Sequence, residues 1–410
     1  MINHKTSIQK TSAICAAILV AGAGMLQAAT CSVPSGAYPT IQSAAIDGTC
    51  SIINVAAGVY NENVTVTHSC DINGAQAGNP VAGRTSGGPG ESTVSGVAVG
   101  LPTFGIQAAD VTIDGFTIKD TVPSFAATGV AVQAGGNDAA ILNNIFDAII
   151  TPDTGGNGTA QAVYLTSGGA DGVNIQDNEM KNIHSNRSAK GVLIGDNGGV
   201  DPSQNVQIKG NSIHDITSDT RGAYGVSVAN VTNVSGLMVV KNSFNNLNGG
   251  GWIHAVGLEG DTPGATVTDN DFSNFNTASL DKTAVWFESN PSFASAQVHT
   301  NNFNLPATAF GIAVSPALTV GSVDGTCNWW NSPSGPTAAS NPGGTGAKVG
   351  PNVSYNPWLI APAPDGSCFG GNVPANANQC KSGGWMTRTR ADGSTFKNQG
   401  DCIQYVNTGR

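Results

Sequence analysis

The sequence predicts an all-β solenoid, a stack of coils built from short strands. Three observations carry that expectation. The first is composition: of 410 residues only 11% are charged and 54 are glycine, while hydrophobic residues still reach 40%. An ordinary soluble domain is about a quarter charged. Few Lys, Glu and Arg beside much Gly, Asn and Thr exclude a coiled coil or helical bundle, and the apolar fraction excludes a disordered chain. The second observation is a pattern, aliphatic-x-x-Asn-x-apolar, found at Ile141–Phe146, Ile175–Met180, Ile208–Ile213, Val239–Phe244, Val267–Phe272 and Val298–Phe303. Its asparagines, from Asn144 to Asn301, step by 34, 33, 31, 28 and 31 residues. The third is an interleaved pattern, small-aliphatic-x-apolar, at Gly129–Val132, Ala162–Leu165, Gly191–Ile194, Gly225–Val228, Ala255–Leu258, Ala284–Phe287 and Gly311–Val314. Alternation of period two marks strands with one face inward. Two such strands per repeat bury no core alone, but stacked on their neighbours they do.

Read from the N-terminus, Lys5 and Lys10 precede an apolar run, Ala13 to Ala21, that ends in the small residues Ala28 and Ala29. This is the layout of a secretory signal over residues 1–29. The run is short and broken by Gly22 and Gly24, so it does not read as a membrane span. The expectation is a secreted or cell-surface protein with no membrane span in the mature chain. The net charge of −10 offers no basic surplus for phosphates, which points away from nucleic acid. Export permits disulfides. Cys15 lies within the signal, leaving Cys31, Cys50, Cys70, Cys327, Cys368, Cys380 and Cys402, an odd set clustered at the two ends. Cys31–Cys50 is the expected pair at the first end, and the pairing of Cys70, Cys327 and Cys368 stays open.

Ile41, Ala44 and Ala45 lie at helical spacing and predict a short helix that plugs the first coil. Ahead of the repeat, Ile53, Ile72, Val94 and Ile113 step by 19, 22 and 19, which predicts shorter coils there and ten or more coils in all. The repeated Asn is expected at a tight turn, tolerating left-handed geometry and bonding to the Asn of the next coil. A stretch rich in Pro, Gly and Asn over residues 361–379 reads as a linker between the rod, 30–360, and a tail, 380–410.

The repeat resembles the right-handed parallel β-helix proteins of the pectin-lyase-like superfamily. The opening Tyr38-Pro39-Thr40-Ile41-Gln42-Ser43-Ala44, the stretch from Ile53 to Val64 and the closing Cys327-Asn328-Trp329-Trp330 carry the same resemblance. It implies the fold over roughly residues 31–360, not an activity. The tail, with Cys380-Lys381-Ser382-Gly383-Gly384-Trp385 and Phe396-Lys397-Asn398-Gln399-Gly400-Asp401-Cys402, is similar to one found on assorted secreted bacterial proteins and implies a Cys380–Cys402 disulfide. Such a loop closure is worth about 3 kcal/mol in the chain-entropy view. Gly58-Val59-Tyr60-Asn61-Glu62 matches the GxYxE string of pectin methylesterases, and Gln161-Ala162-Val163-Tyr164-Leu165 resembles their QAVAL. The catalytic DFIFG and LGRPW strings are missing, as are the NTD, DD, GHG and RIK elements of polygalacturonases. The esterase reading is therefore rejected.

Two outward clusters remain. Five residues before the aliphatic of the second pattern stand Arg187 and Arg221 on adjacent coils, with His184 and Lys190 near in sequence. Like charges so close favour an anion between them, a uronate or sulfate. Pairing with Asp219, Asp196 or Asp201 is the plainer explanation. Three residues after that aliphatic stand Glu259 and Glu288, with Trp286 on the same face and Asp261 close by. Paired carboxylates suit a Ca²⁺ ion or a glycosidase, and an exposed indole suits a sugar ring. A solvated acidic face is the plainer explanation here. The leading expectation is contact with an extracellular polysaccharide or cell-surface glycan, without catalysis. The alternative is a lyase or hydrolase on a uronate polymer, with Arg187, Arg221 or Lys190 as base or carboxylate clamp. A purely structural rod is the third.

Overall fold

In the computed structural model the described residues are 29–409, apart from 122–125, 152–157, 167–169, 196–202, 230–232, 277–280, 371–372 and 391–393. The expected secretory signal, with its Cys15, lies outside them except for Ala29, which opens the first strand, Ala29–Val33. Three parallel sheets of twelve, eleven and nine strands run the length of the chain, and neighbours within each sheet come from successive coils. The chain is a parallel β-solenoid of about nine turns. At about 4.8 Å per turn the rod is on the order of 40 Å long. No described helix is long and apolar enough to cross a membrane.

Each coil of the repeat has three strands, not two. The Asn pattern is a bent unit: Ile141 lies inward on the strand Ala140–Leu142 of the twelve-stranded sheet, and Phe146 lies inward on Ile145–Thr151 of the nine-stranded sheet. Asn144 sits buried at the corner between them. The left-handed residue is its predecessor. Asn143, Asp177, Gly210, Lys241, Asp269, Thr300 and Cys327 all have φ between 49° and 68°. The expectation placed that geometry on the repeated Asn itself, whose work is hydrogen bonding.

The backbone N–H of Asn144 donates to Asn178 Oδ1 at 2.9 Å. Its Nδ2 donates to the same oxygen at 3.2 Å and to the Ile113 carbonyl of the preceding coil at 2.9 Å. The same bonds recur through Asn178, Asn211, Asn242, Asn270 and Asn301 to Asn328, so the ladder has seven members. Buried corner amides, which would otherwise lack partners, are satisfied one coil at a time.

Inside the nine-stranded sheet, Phe146 and Ile149 both point inward although they are three residues apart. Period two forbids that in a regular strand. An extra residue with positive φ absorbs the mismatch at Ala148, Asn182, Asp215, Asn246 and Asn274. Inward aromatics then stack. Phe244 and Phe272 lie 4.9 Å apart and nearly coplanar in orientation, followed by Phe272–Phe303 at 5.5 Å and Phe303–Trp330 at 5.0 Å. The small residue of the second pattern makes room for them: a Cβ on Gly225 would run into the Phe244 ring.

The coils before the repeat differ from expectation. Ile53, Ile72 and Ile113 do stack in one sheet, but Val94 pairs with Tyr60 and Ile118 in another. A regular step of about twenty residues was a coincidence of two sheets. The N-terminal plug forms as expected: α1 (Ile41–Ala45) buries Ile41, Ala44 and Ala45. Its first two amides donate to Glu62 at 3.0 and 2.9 Å. The glutamate of the GxYxE match is therefore a helix cap.

Cys31–Cys50 and Cys380–Cys402 form as expected, and Cys327–Cys368 ties the closing segment to the chain beyond it. Cys70 is the odd thiol; burial, with Asp71 beside it, pushes its pKa up to about 11. A buried neutral thiol of this kind is inert. Within the expected linker, Cys368–Gly370 pairs with Trp358–Leu359. The tail packs α2 (Gln399–Thr408) around its own small cluster of Cys380, Phe396 and Cys402.

Phe244→Asp tests the inward assignment. It removes a stacked ring and places an unpaired charge in the core, a loss above the roughly 3–5 kcal/mol of a Phe→Ala change. The expected outcome is loss of the cooperative melting transition, followed by circular dichroism.

Candidate functional site

The eleven-stranded sheet positions the site. Four of its strands matter: β1 (Ser188–Ile194), β2 (Gly222–Val228), β3 (Trp252–Leu258) and β4 (Lys282–Phe287). Val192, Val226, Val256 and Val285 are in register and buried, and the outward rows lie one residue after them and, across a break in the alternation, two residues before them. One outward row is Lys190, Tyr224, His254 and Thr283; a second is Leu193, Ser227, Gly257 and Trp286. Small residues of the second row leave a groove of about 470 Å³. Arg187, Lys190 and Arg221 line it together with Tyr224, Trp252, Glu259 and Glu288. The two sequence clusters, basic and acidic, are thus ends of one groove.

The aromatic floor is fixed from within. Trp252 Nε1 donates to the Tyr224 hydroxyl at 2.7 Å, and that hydroxyl donates to Glu259 Oε1 at 2.7 Å. Gly222 is required beneath them, because any Cβ there would strike Trp252 Nε1. Gly257 lets the Tyr224 ring lie down, a Cβ there falling 3.0 Å from it. His254, 4% exposed, sits under this layer. Its ring stacks on Trp286 at 5.1 Å and meets Tyr224 edge-on at 5.7 Å. Its Nε2 lies 3.2 Å from Asp281, and its Nδ1 lies 3.5 Å from Glu259.

Burial alone would lower the His254 pKa, but the bond to Asp281 and the neighbouring Glu259 carboxylate together outweigh that and raise the pKa above the ordinary imidazole value. Desolvation, aided by the negative Glu259, raises Tyr224 well above the usual phenol range and keeps it a hydrogen-bond donor. Lys190 Nζ lies 5.7 Å over the Tyr224 ring. Loss of water lowers its pKa, Glu259 opposes this and Arg187 adds to it.

The other sequence candidates lie apart. His184 belongs to the strand Glu179–Ser185 of the nine-stranded sheet. It bonds Asp219 at 2.9 Å and lines a separate groove with Asp147, Asn182 and Asp215. The chain turns a corner between His184 and Lys190, so nearness in sequence does not bring them together. Asp219 is thereby engaged with His184, while Asp196 and Asp201 lie outside the described residues. Among the described residues neither Arg187 nor Arg221 forms an ion pair. Asp261 accepts from the Ser292 amide at 3.1 Å and does not line the groove. Among the described residues no three His, Cys, Asp or Glu side chains are placed to hold a metal ion. A Ca²⁺ ion would meet Glu288 and a Glu259 already bonded by Tyr224.

Tyr224, Trp252, His254 and Asp281 were not found from the sequence. The signal was present two residues before the aliphatic of the second pattern, where Lys190, Tyr224 and His254 follow one another. A larger cleft, about 640 Å³, lies where the closing segment meets the tail, near Trp358, Tyr355 and Gln379. Arg388, its single charged lining residue among the described residues, gives it less chemistry than the groove. No family model matches the chain, and no significant match is found among curated proteins or solved structures.

The His254 arrangement predicts a titration. A raised folded pKa contributes stability that is fully present below the unfolded value and is lost as pH rises through the folded one. Side-chain NMR should show His254 keeping its proton at a pH where a free imidazole has lost it. His254→Gln should remove that resonance and flatten the matching part of the melting temperature against pH.

Proposed function

We propose that the chain is an extracellular saccharide-binding protein, noncatalytic, with the groove across β1–β4 as its site. The observation that carries the reading is the pre-arranged aromatic and charged lining of one outer groove on a rigid stack. Trp252 lines the groove and Trp286 stands beside it in the outward row of Ser227 and Gly257; both are half-buried, Trp252 fixed by Tyr224 and Trp286 by His254. Indole faces gain by covering the C–H face of a pyranose. Carboxylates and basic groups alongside offer acceptors and donors to hydroxyls. Rigid lining lowers the ordering cost of binding. Export and the pectin-lyase-like kinship inferred from the repeat belong to the same proposal.

Glu259 favours binding over glycoside hydrolysis, since its carboxylate is engaged by Tyr224 and lies beside the His254 imidazole. The second reading, a lyase on a uronate polymer, draws on Lys190, whose lowered pKa suits a base. One experiment separates them. Acidic and neutral oligosaccharides are titrated calorimetrically into wild type and Trp286→Ala, and each mixture is followed by ultraviolet absorbance for unsaturated product. The expected result is saccharide binding, weakened about tenfold (about 1.4 kcal/mol) by Trp286→Ala in a variant that circular dichroism shows still folded, and no new absorbance. Accumulating product would favour the lyase. No binding to any saccharide would leave a structural rod.

A further inference from the structure

The groove changes sign diagonally, along the rod axis and from the N-terminal to the C-terminal ends of its strands. Arg187 stands just before β1 and Lys190 on it; Arg221 stands just before β2; Glu259 follows β3 and Glu288 follows β4. Three coil steps of about 4.8 Å separate the first of these strands from the last, on the order of 14 Å. Among the described residues the lining between the two ends is uncharged, with Tyr224, Ser227, Ala229 and Trp252. Among the described residues Arg187, Lys190, Arg221 and Glu288 form no ion pair with any other side chain. Arg187, Arg221 and Glu288 therefore face one groove without a paired counter-charge, while Glu259 interacts with Lys190 and with His254.

That order discriminates among saccharides. A uniformly acidic chain set on Arg187 and Arg221 would carry its next carboxylates against Glu259 and Glu288, where like charges repel. A uniformly cationic chain would meet the reverse fault at the basic end. A neutral chain would leave both ends without a counter-charge. Complementary charge chiefly supplies selectivity, by penalising the wrong partner.

We infer that the ligand is a zwitterionic saccharide, with a carboxylate or sulfate at the Arg187–Arg221 end and a free ammonium of an amino sugar at the Glu259–Glu288 end. This inference rests on the saccharide-binding reading. The test uses four oligosaccharides of matched length: alternating glucuronate–glucosamine with free amines, its N-acetylated form, oligogalacturonate, and a chitosan oligomer. Affinities are measured by calorimetry at low and high salt, with calcium and with chelator.

The free-amine alternating chain should bind at least tenfold more tightly than the other three, at low salt and regardless of calcium. Glu288→Gln should erase its advantage over the N-acetylated form. Arg221→Gln should erase its advantage over chitosan. Both positions are exposed, and circular dichroism should show both variants folded. Equal binding of the N-acetylated form, or tighter binding of oligogalacturonate, would overturn the charge order. If those ligands still depend on Trp286, the saccharide reading survives it. Failure of all four to bind would overturn both.

Discussion

The structure depends on the hydrogen bonds of seven buried asparagines. At each corner the backbone turns through a left-handed residue, and the following amide points along the rod with no strand to receive it. The Asn side chain of the next coil accepts that amide, and its own Nδ2 donates to a carbonyl of the coil before. Each link satisfies buried polar groups on three successive coils, and leaving one such group bare costs about 1–3 kcal/mol. The ladder also fixes register. A slip of one residue would turn every inward side chain out, so the corner and the apolar faces enforce the same alignment.

Register is what makes a groove possible. Lys190, Tyr224 and His254 lie about thirty residues apart in sequence but in line in the sheet. The core uses only the inward positions, which leaves the outward ones available for chemistry. Within that freedom the groove still imposes its own constraints. Gly222 and Gly257 are small because Trp252 and Tyr224 occupy the space their side chains would need. His254 is buried from the outside, held by two carboxylates rather than by the core.

Much of the fold was legible because inward positions repeat. The Asn steps, the Val and Ile rows and the plugging helix follow from periodic or local features, whereas the Cys380–Cys402 disulfide was implied by the tail's resemblance. The third strand of each coil was hidden because the Asn pattern bends at a corner, and a pattern on a line does not show a bend. The early coils misled for a related reason: Val94 is apolar and suitably spaced, yet belongs to a different face from Ile72. Outward residues carry no period. Arg187, Arg221, Glu259 and Glu288 were found as like pairs at one offset, but the contact of both pairs with one groove, and the buried His254 beneath it, depend on which row each side chain joins. His184 shows the opposite error, a sequence neighbour of Arg187 that the corner sends to another sheet.

The central claim is that the asparagine ladder holds the coils in register and thereby holds the groove. Amide hydrogen exchange of Asn211→Ala tests it most directly. The substitution strips Asn178 of the acceptor for both its backbone amide and its Nδ2, and strips the Ile175 carbonyl of its donor. The account predicts faster exchange at the corners of residues 175–180 and 208–213, spreading to β1 and β2, with a lower melting temperature. Unchanged exchange at those corners and unchanged melting would show that the stacked apolar faces hold the register without the ladder, and would contradict the account.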